Sequence, residues 1–313
     1  MVKLLLKNLL RTVAVLLSVT FATFVMMYGN GPGIARAVLG VNANEEQVQA
    51  EVSRLGLDRP LPSQYWDWLT GVVTGDLGNS FFTGETVTGA LATRVPVTLS
   101  LVFFTLVLML VLSVALGVAS ALYGGWLDRL VQFVAVGGAA IQPYVVGIVL
   151  VFAFAVVNPV FPATGYVPPA QSVSGWLSSI TLPVIALLIG SVANAASQFR
   201  GAVHDTLQQD FVRTLRARGI KESRIVFRHV LRNASGPGLI VLSLGVIALF
   251  GGAIFVEQIF ALPGLGQLAS SSAQLGDVPM VMGAILVTVL VILAVNLLAD
   301  LLGTVLNPKA RTR

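Results

Sequence analysis

Few side chains in this sequence could do chemistry, and most of them fall in one stretch. From Asp205 to Arg232 the chain reads DTLQQDFVRTLRARGIKESRIVFRHVLR, placing Asp210, Arg213, Arg216, Arg218, Lys221, Glu222 and Arg224 in close succession. Carboxylates and guanidiniums at this density make charge-assisted hydrogen bonds to a partner; they do not form a nucleophile and its base. The two histidines, His204 and His229, lie beside and within the stretch, and surface or helix-packing roles suit them better than a metal pair. There is no cysteine, which removes disulfides and thiol ligands. No GxxxxGK[ST] phosphate loop occurs, nor any Gly-Lys pair. Elsewhere the chemically able side chains are neutral and sit in apolar runs: Gln142, Tyr144, Asn194, Ser197, Gln198 and Asn296. They are suited either to hydrogen-bonding a passing solute or to bonding helix to helix. No covalent chemistry and no metal site are expected.

The charged stretch fits two short helices. In the first, Leu207, Phe211 and Leu215 recur every four residues as an apolar stripe, with Arg213 and Arg216 off it. Gly219 stands where a helix most often ends in a left-handed residue. In the second, Phe227, Val230 and Leu231 form a new stripe, and Arg224, Arg228 and Arg232 a basic row suited to lipid phosphates or acidic groups. An apolar face held out from a membrane needs a cover, so the stretch reads as a docking element.

The rest of the chain must hold that element against a bilayer. Of 313 residues, 56% are hydrophobic and 11% charged, with a mean hydropathy of +0.87, which indicates an all-α polytopic membrane protein. Six spans are expected: Thr12 to Tyr28, one within Val95–Leu127, two between Arg129 and Arg200, Asn233 to Val256, and Val278 to Ala299. Prolines 159, 162, 168 and 169 mark an outside loop at about 158–178 between the third and fourth. The last span's 22 residues rise about 33 Å, enough for a hydrocarbon core of about 30 Å. Six crossings put the N-terminus, the 124–129 turn, the 200–232 stretch and the C-terminus on one side, with 15 of the 19 Lys and Arg. That excess places this side in the cytoplasm and ties the basic residues to a membrane face, not to nucleic acid. Residues 29–96 form the sizeable polar region on the other side. Asn44 caps a helix there with Gln47 at its third position, Gly56 ends it, and Pro62 opens another bearing Tyr65, Trp66 and Trp68 as interfacial anchors.

Three motifs together resemble binding-protein-dependent ABC importer permeases of the dipeptide/oligopeptide/nickel branch. RTxRAxG followed by RHxLRNA, over 210–234, is similar to the family's coupling loop: its signature glycine falls on Gly219, and Arg213, Thr214 and Leu215 stand in place of the acid-Ala-Ala triplet. GDLGNSFFTG (75–84) and VEQIFALPGLG (256–266), followed by Asp277 before the last span, match two further elements. The resemblance implies a type I importer transmembrane domain with six helices and a B-type subunit. It divides into 1–28 (tail and first span), 29–96 (extracytoplasmic), 97–303 (permease core with coupling loop 205–232) and 304–313 (cytoplasmic tail). It further implies a bacterial inner-membrane location, a C-type permease partner, two ATPase subunits carrying ATP and Mg, an extracytoplasmic peptide-binding protein, and no cofactor in this chain. Asp210, Phe211, Arg213, Thr214, Leu215, Arg218, Gly219 and Glu222 would dock the ATPase. Gln142, Tyr144, Asn194 and Gln198 would line the pathway unless they serve helix packing. The turn made by Pro263, Gly264 and Gly266 would present Phe260 and Leu265 to the binding protein, or else plug back onto the spans.

The spans so drawn hold no deep ionisable group. Ion-driven carriers usually need one, so the energy is expected to come from ATP hydrolysed on a separate subunit; a self-sufficient carrier or channel is the competing expectation. Gly137, Gly138 and Gly251, Gly252 are expected to allow close helix approach.

Overall fold

The computed structural model describes residues 2–40 and 42–306. Among them there is no β-strand, only an isolated antiparallel bridge between Asn79 and Thr86. The helices are α1 (Val2–Tyr28), α2 (Gly31–Leu39), α3 (Glu45–Arg54), α4 (Leu61–Thr74), α5 (Val87–Tyr123), α6 (Gly125–Ala140), α7 (Pro143–Val151), α8 (Val173–Leu207), α9 (Asp210–Ala217), α10 (Glu222–Ile225), α11 (Leu231–Ile259), α12 (Leu265–Leu275) and α13 (Val278–Leu306).

Four described helices are long and apolar enough to cross a bilayer: Leu10–Tyr28, Val87–Tyr123, Val173–Leu207 and Val278–Ala299. The expected third span is instead a bent pair, Asp128–Gly138 with Pro143–Val157. The break has a local cause. Pro143 lacks an amide hydrogen and pushes Gln142 into an extended conformation (ψ 140°), so α6 must stop before it. The expected fifth span lies inside α11, whose 29 residues rise about 43 Å. Helices also run further than the charge pattern suggested: α5 starts at Val87 and passes through Pro96, and α8 continues to Leu207. The 304–313 tail lies outside the described residues beyond Leu306.

The chain divides into two compact units. One contains the described residues of Met1–Thr98 and Pro263–Leu293. Its core joins Phe24 of α1, Ile34 and Ala35 of α2, Val48 and Val52 of α3, and Val278 and Met282 of α13. The capping box at α3 forms as expected: Asn44 Oδ1 accepts from Gln47 N at 2.8 Å, and Asn44 N donates to Gln47 Oε1 at 3.0 Å. Of the three expected anchors on α4, only Trp66 is exposed; Tyr65 packs edge-on to Phe24 at 5.4 Å and Trp68 stacks on Tyr65 at 5.7 Å. Both are used by the core because α4 lies along α1.

The other unit contains Leu99–Leu262 and the described residues of Ala294–Arg313. α8 is its centre, with α6, α7 and α11 packed on it. Small residues set the spacing. A Cβ on Gly117 would fall 2.8 Å from Phe199 Cβ and 2.9 Å from Ala196 O, so α5 and α8 touch backbone to backbone there. Of the expected close-approach glycines, Gly138 faces Ala193 and Gly252 faces Leu187, whereas Gly137 and Gly251 look into open space.

Candidate functional site

The charged stretch folds as α9, a turn, and a run of α10 that continues through one π-helical turn (Val226–Val230) into α11. The second expected helix is therefore the entrance to the next long helix, not a separate element. Leu207 likewise ends α8 and is not part of α9. Val212, which the four-residue stripe passes over, is the fully buried residue of α9. It packs with Val118 of α5, Val203 of α8, and Ile225, Val226 and Val230, while Phe211 and Leu215 border the same cluster half-buried. The apolar side of α9 is thus already covered by this chain. The outward face is polar: Asp210 and Arg213 have side chains 98% and 77% exposed and 3.8 Å apart, and Thr214, Arg218 and Gly219 are exposed beside them.

Gly219 adopts φ +73°, and a Cβ there would meet nothing within 4 Å. The glycine is required by backbone conformation alone. Its turn is bridged by Arg216, which donates to both carboxylate oxygens of Glu222 at 3.1 and 2.5 Å. Those bonds hold the Glu222 carboxyl below the usual glutamate range and raise the Arg216 guanidinium further. Of the expected stripe, Val230 is buried and Leu231 half-buried, but Phe227 is 71% exposed; Ile225 and Val226 take the other buried positions because the π turn shifts the register.

Seven residues before the end of α8, Arg200 makes a bidentate pair with Asp128 of α6, Nε to Oδ1 and Nη2 to Oδ2, each at 2.6 Å. Ser120 Oγ of α5 donates to the same carboxylate at 2.7 Å. Three long helices are tied at one point, and sequence reasoning, which treated both charges as loop residues, missed it. The signal was available: Asp128 is the sole acid between Glu85 and Asp205.

The neutral candidates divide. Asn194 and Gln198 are exposed on α8 and bonded to each other at 3.0 Å. Ser197, by contrast, spends its hydroxyl on Gln132 of α6 at 3.0 Å, a helix-to-helix bond. Gln142 and Tyr144 are exposed at the α6–α7 break, with Tyr144 tilted against Phe255 at 6.2 Å. His204 is exposed, its Nε2 2.9 Å from Gln208 Nε2, which is the surface role expected of it.

The PGLG turn does not present its large side chains. Phe260 and Leu265 are each 1% exposed; Pro263 is exposed, and Gly264 and Gly266 are buried. Phe260 sits over Gly147, and its carbonyl accepts from Gly165 N at 2.9 Å. Leu265 belongs to the other unit, where its amide donates to Thr98 Oγ1 at 2.8 Å and opens α12 among Val87, Leu91 and Met280. An apolar turn with no other cover buries itself.

Within that unit the GDLGNS segment and the residue before the last long helix meet. The buried Asp277 carboxylate accepts from Ser80 Oγ and from Phe81 N, and Ser80 Oγ in turn accepts from Phe82 N and Thr83 N at 3.1 and 3.0 Å. The segment turns through Gly75, Gly78 and Gly84, all at positive φ. A buried carboxylate has to be satisfied in this way, which explains why two motifs nearly 200 residues apart belong together.

Comparison with known proteins gives a consistent result. The family described as binding-protein-dependent transport system inner membrane component matches residues 113–312, and the N-terminal component of the same system matches residues 1–102. A peptide transport system permease protein of Brucella abortus (strain 2308) is 34% identical over 312 residues, 99% of each chain. A peptide ABC transporter permease protein of Sinorhizobium fredii is 32% identical over 308 residues, 98% of each. A glutathione transport system permease protein of Pectobacterium atrosepticum is 34% identical over 306 residues, 97% of each.

Proposed function

The chain belongs to the family of binding-protein-dependent transport system inner membrane components, and from that premise we propose that it is the B-type permease subunit of an ATP-driven importer of peptides. The observation that carries the mechanism is α9: a helix anchored by Val212, turned by Gly219, and exposing Asp210, Arg213, Thr214 and Arg218 outward. On a chain without a phosphate loop, such a surface suits the transfer of force from a separate ATPase.

In this reading Asp210, Arg213, Thr214, Arg218 and Glu222 dock one of two ATPase subunits, which carry ATP and Mg. Phe211 and Leu215 position α9 from behind. ATP-driven closure moves α9, and the continuous path from α10 through the π turn into α11 carries the displacement into the spans. A homologous C-type permease supplies the other half of the pathway, with Asn194, Gln198, Gln142 and Tyr144 as this chain's hydrogen-bonding contribution. An extracytoplasmic peptide-binding protein delivers cargo, and its contact near the PGLG turn falls to exposed groups such as Pro263. Both termini are cytoplasmic. The chain itself performs no covalent chemistry. The cargo class rests on relatives named for peptide and glutathione transport.

Reconstitution separates this from a self-sufficient carrier. With its partners, binding protein and ATP, the proteoliposome accumulates a di- or oligopeptide; uptake by this chain alone under a proton or sodium gradient would overturn the reading. Gly219→Val is expected to leave membrane insertion and ATP hydrolysis intact while uptake per ATP collapses. The left-handed conformation costs an ordinary residue about 1–2 kcal/mol, more when β-branched. Gly219→Asn, which tolerates that conformation, is expected to retain more uptake.

A further inference from the structure

A cavity of about 1140 Å³ runs along the flank of α5 and ends on the docking stretch. Its long wall is aliphatic, with Leu110, Val114, Val118 and Leu122 contributed by successive turns, about 18 Å from first to last. Its end is polar, formed by the Arg216–Glu222 pair and Ser223. Two aromatics, Tyr123 and Phe227, stand at that end, 80% and 71% exposed. Arg224 is exposed one turn before Phe227 on the same helical run, and exposed Arg228 follows it.

This is a groove that is oily along a membrane-spanning helix and polar only at one end, where the Arg216–Glu222 pair is internally neutral and exposed Arg224 and Arg228, outside the lining, stand next to Phe227 on the same helical run. Its polarity changes once, over the length of an acyl chain's travel through one leaflet. Tyrosine and arginine at the boundary are the residues that meet headgroups and phosphates. A partner helix would need no cationic group at one end, and a soluble segment would set its peptide groups against an aliphatic wall. We propose that the groove holds an anionic phospholipid of the leaflet on the docking side. One acyl chain lies along α5, and the phosphate sits at Arg224 and Arg228. A bound lipid would then brace the turn between α9 and α10 from the membrane side, independently of what the importer carries.

Native mass spectrometry of the full chain in detergent tests this, with dioleoylphosphatidylglycerol and dioleoylphosphatidylcholine as probes. The expected result is retention of the anionic lipid at concentrations where the zwitterionic one is lost. R224Q/R228Q should raise the concentration for half-occupancy at least about tenfold. Ala115→Trp, which fills the exposed aliphatic wall without touching a charge, should weaken retention of the anionic lipid as well. Equal retention of the two lipids overturns the proposal, as does retention unchanged in both variants. Release of the bound lipid when the partner permease and ATPase subunits are added would identify the groove as a protein interface and overturn it too.

Discussion

At the scale of single residues, the Asp128–Arg200 pair joins two helices through two parallel hydrogen bonds, with side chains 21% and 28% exposed. Burial to this degree raises the cost of losing a partner, because the remaining charge stays half-desolvated. Asp128→Asn is expected to lower stability by about 1–3 kcal/mol, read as a fall in the thermal midpoint in mild detergent. Arg200→Met should cost about the same, and the double variant less than the sum, since one interaction cannot be lost twice. Additive losses would show that the two charges act separately. The Arg216–Glu222 pair is the opposite case, nearly half exposed and worth about 0.2–1 kcal/mol. Its pH dependence follows from the depressed Glu222 carboxyl, held down first by the Arg216 hydrogen bonds. A depressed folded value means the contribution is present above the unfolded glutamate value near about 4.3 and is lost as pH falls through the lower folded value. Amide exchange across residues 216–222 is therefore expected to be flat, once corrected for intrinsic rates, from neutral pH to about 5 and to rise only in stronger acid. Glu222→Gln should remove that rise. A rise centred at neutral pH would assign the turn's stability elsewhere.

At the scale of elements, the sequence made long apolar helices and their caps legible, because hydropathy and capping are local. The Asn44–Gln47 box, the left-handed Gly219 and the pause at prolines 159–169 all formed where the residues alone placed them. What was not legible depended on neighbours. Periodicity assigned Phe211 and Leu215 to a partner, but the burial of Val212 shows that α9 first had to be anchored on its own unit. Hydropathy drew the third span straight, although Pro143 breaks it. The PGLG turn read equally as presenting Phe260 and Leu265 or as packing back onto the spans, and their burial follows the second, because it is decided by packing from distant helices. The contact of α5 with α8 belongs to the same class, invisible in sequence and decisive in the fold. Gly117→Val places a side chain within contact distance of Phe199 and the Ala196 carbonyl, where neither helix can yield cheaply. The expected outcome is loss of monodisperse protein on size exclusion, while the same change at Gly201, whose Cβ position is open, is tolerated sterically.

At the scale of the whole chain, orientation decides whether the docking stretch can meet an ATPase at all. The argument for it is collective: 15 of 19 cationic side chains fall on the face that carries α9, provided that the chain crosses the bilayer an even number of times between its termini. Four helices long and apolar enough to cross, with one bent pair, leave α11 as the crossing on which the parity rests. If α11 did not cross, the two ends of the chain would lie on opposite sides and the charge asymmetry would dissolve. The absence of native cysteine makes the test direct, since any engineered thiol is the sole one. Arg218→Cys, exposed beside Gly219, is expected to react with a membrane-impermeant maleimide only after the inner membrane is permeabilised. Glu46→Cys, exposed on α3, should react in intact spheroplasts. A thiol placed at Ala261, just past α11, should behave like the one at position 46, because α11 separates it from position 218. Labelling of positions 218 and 261 from the same side would mean that α11 turns back within the membrane, and the coupling route from α10 into α11 would have no span to drive.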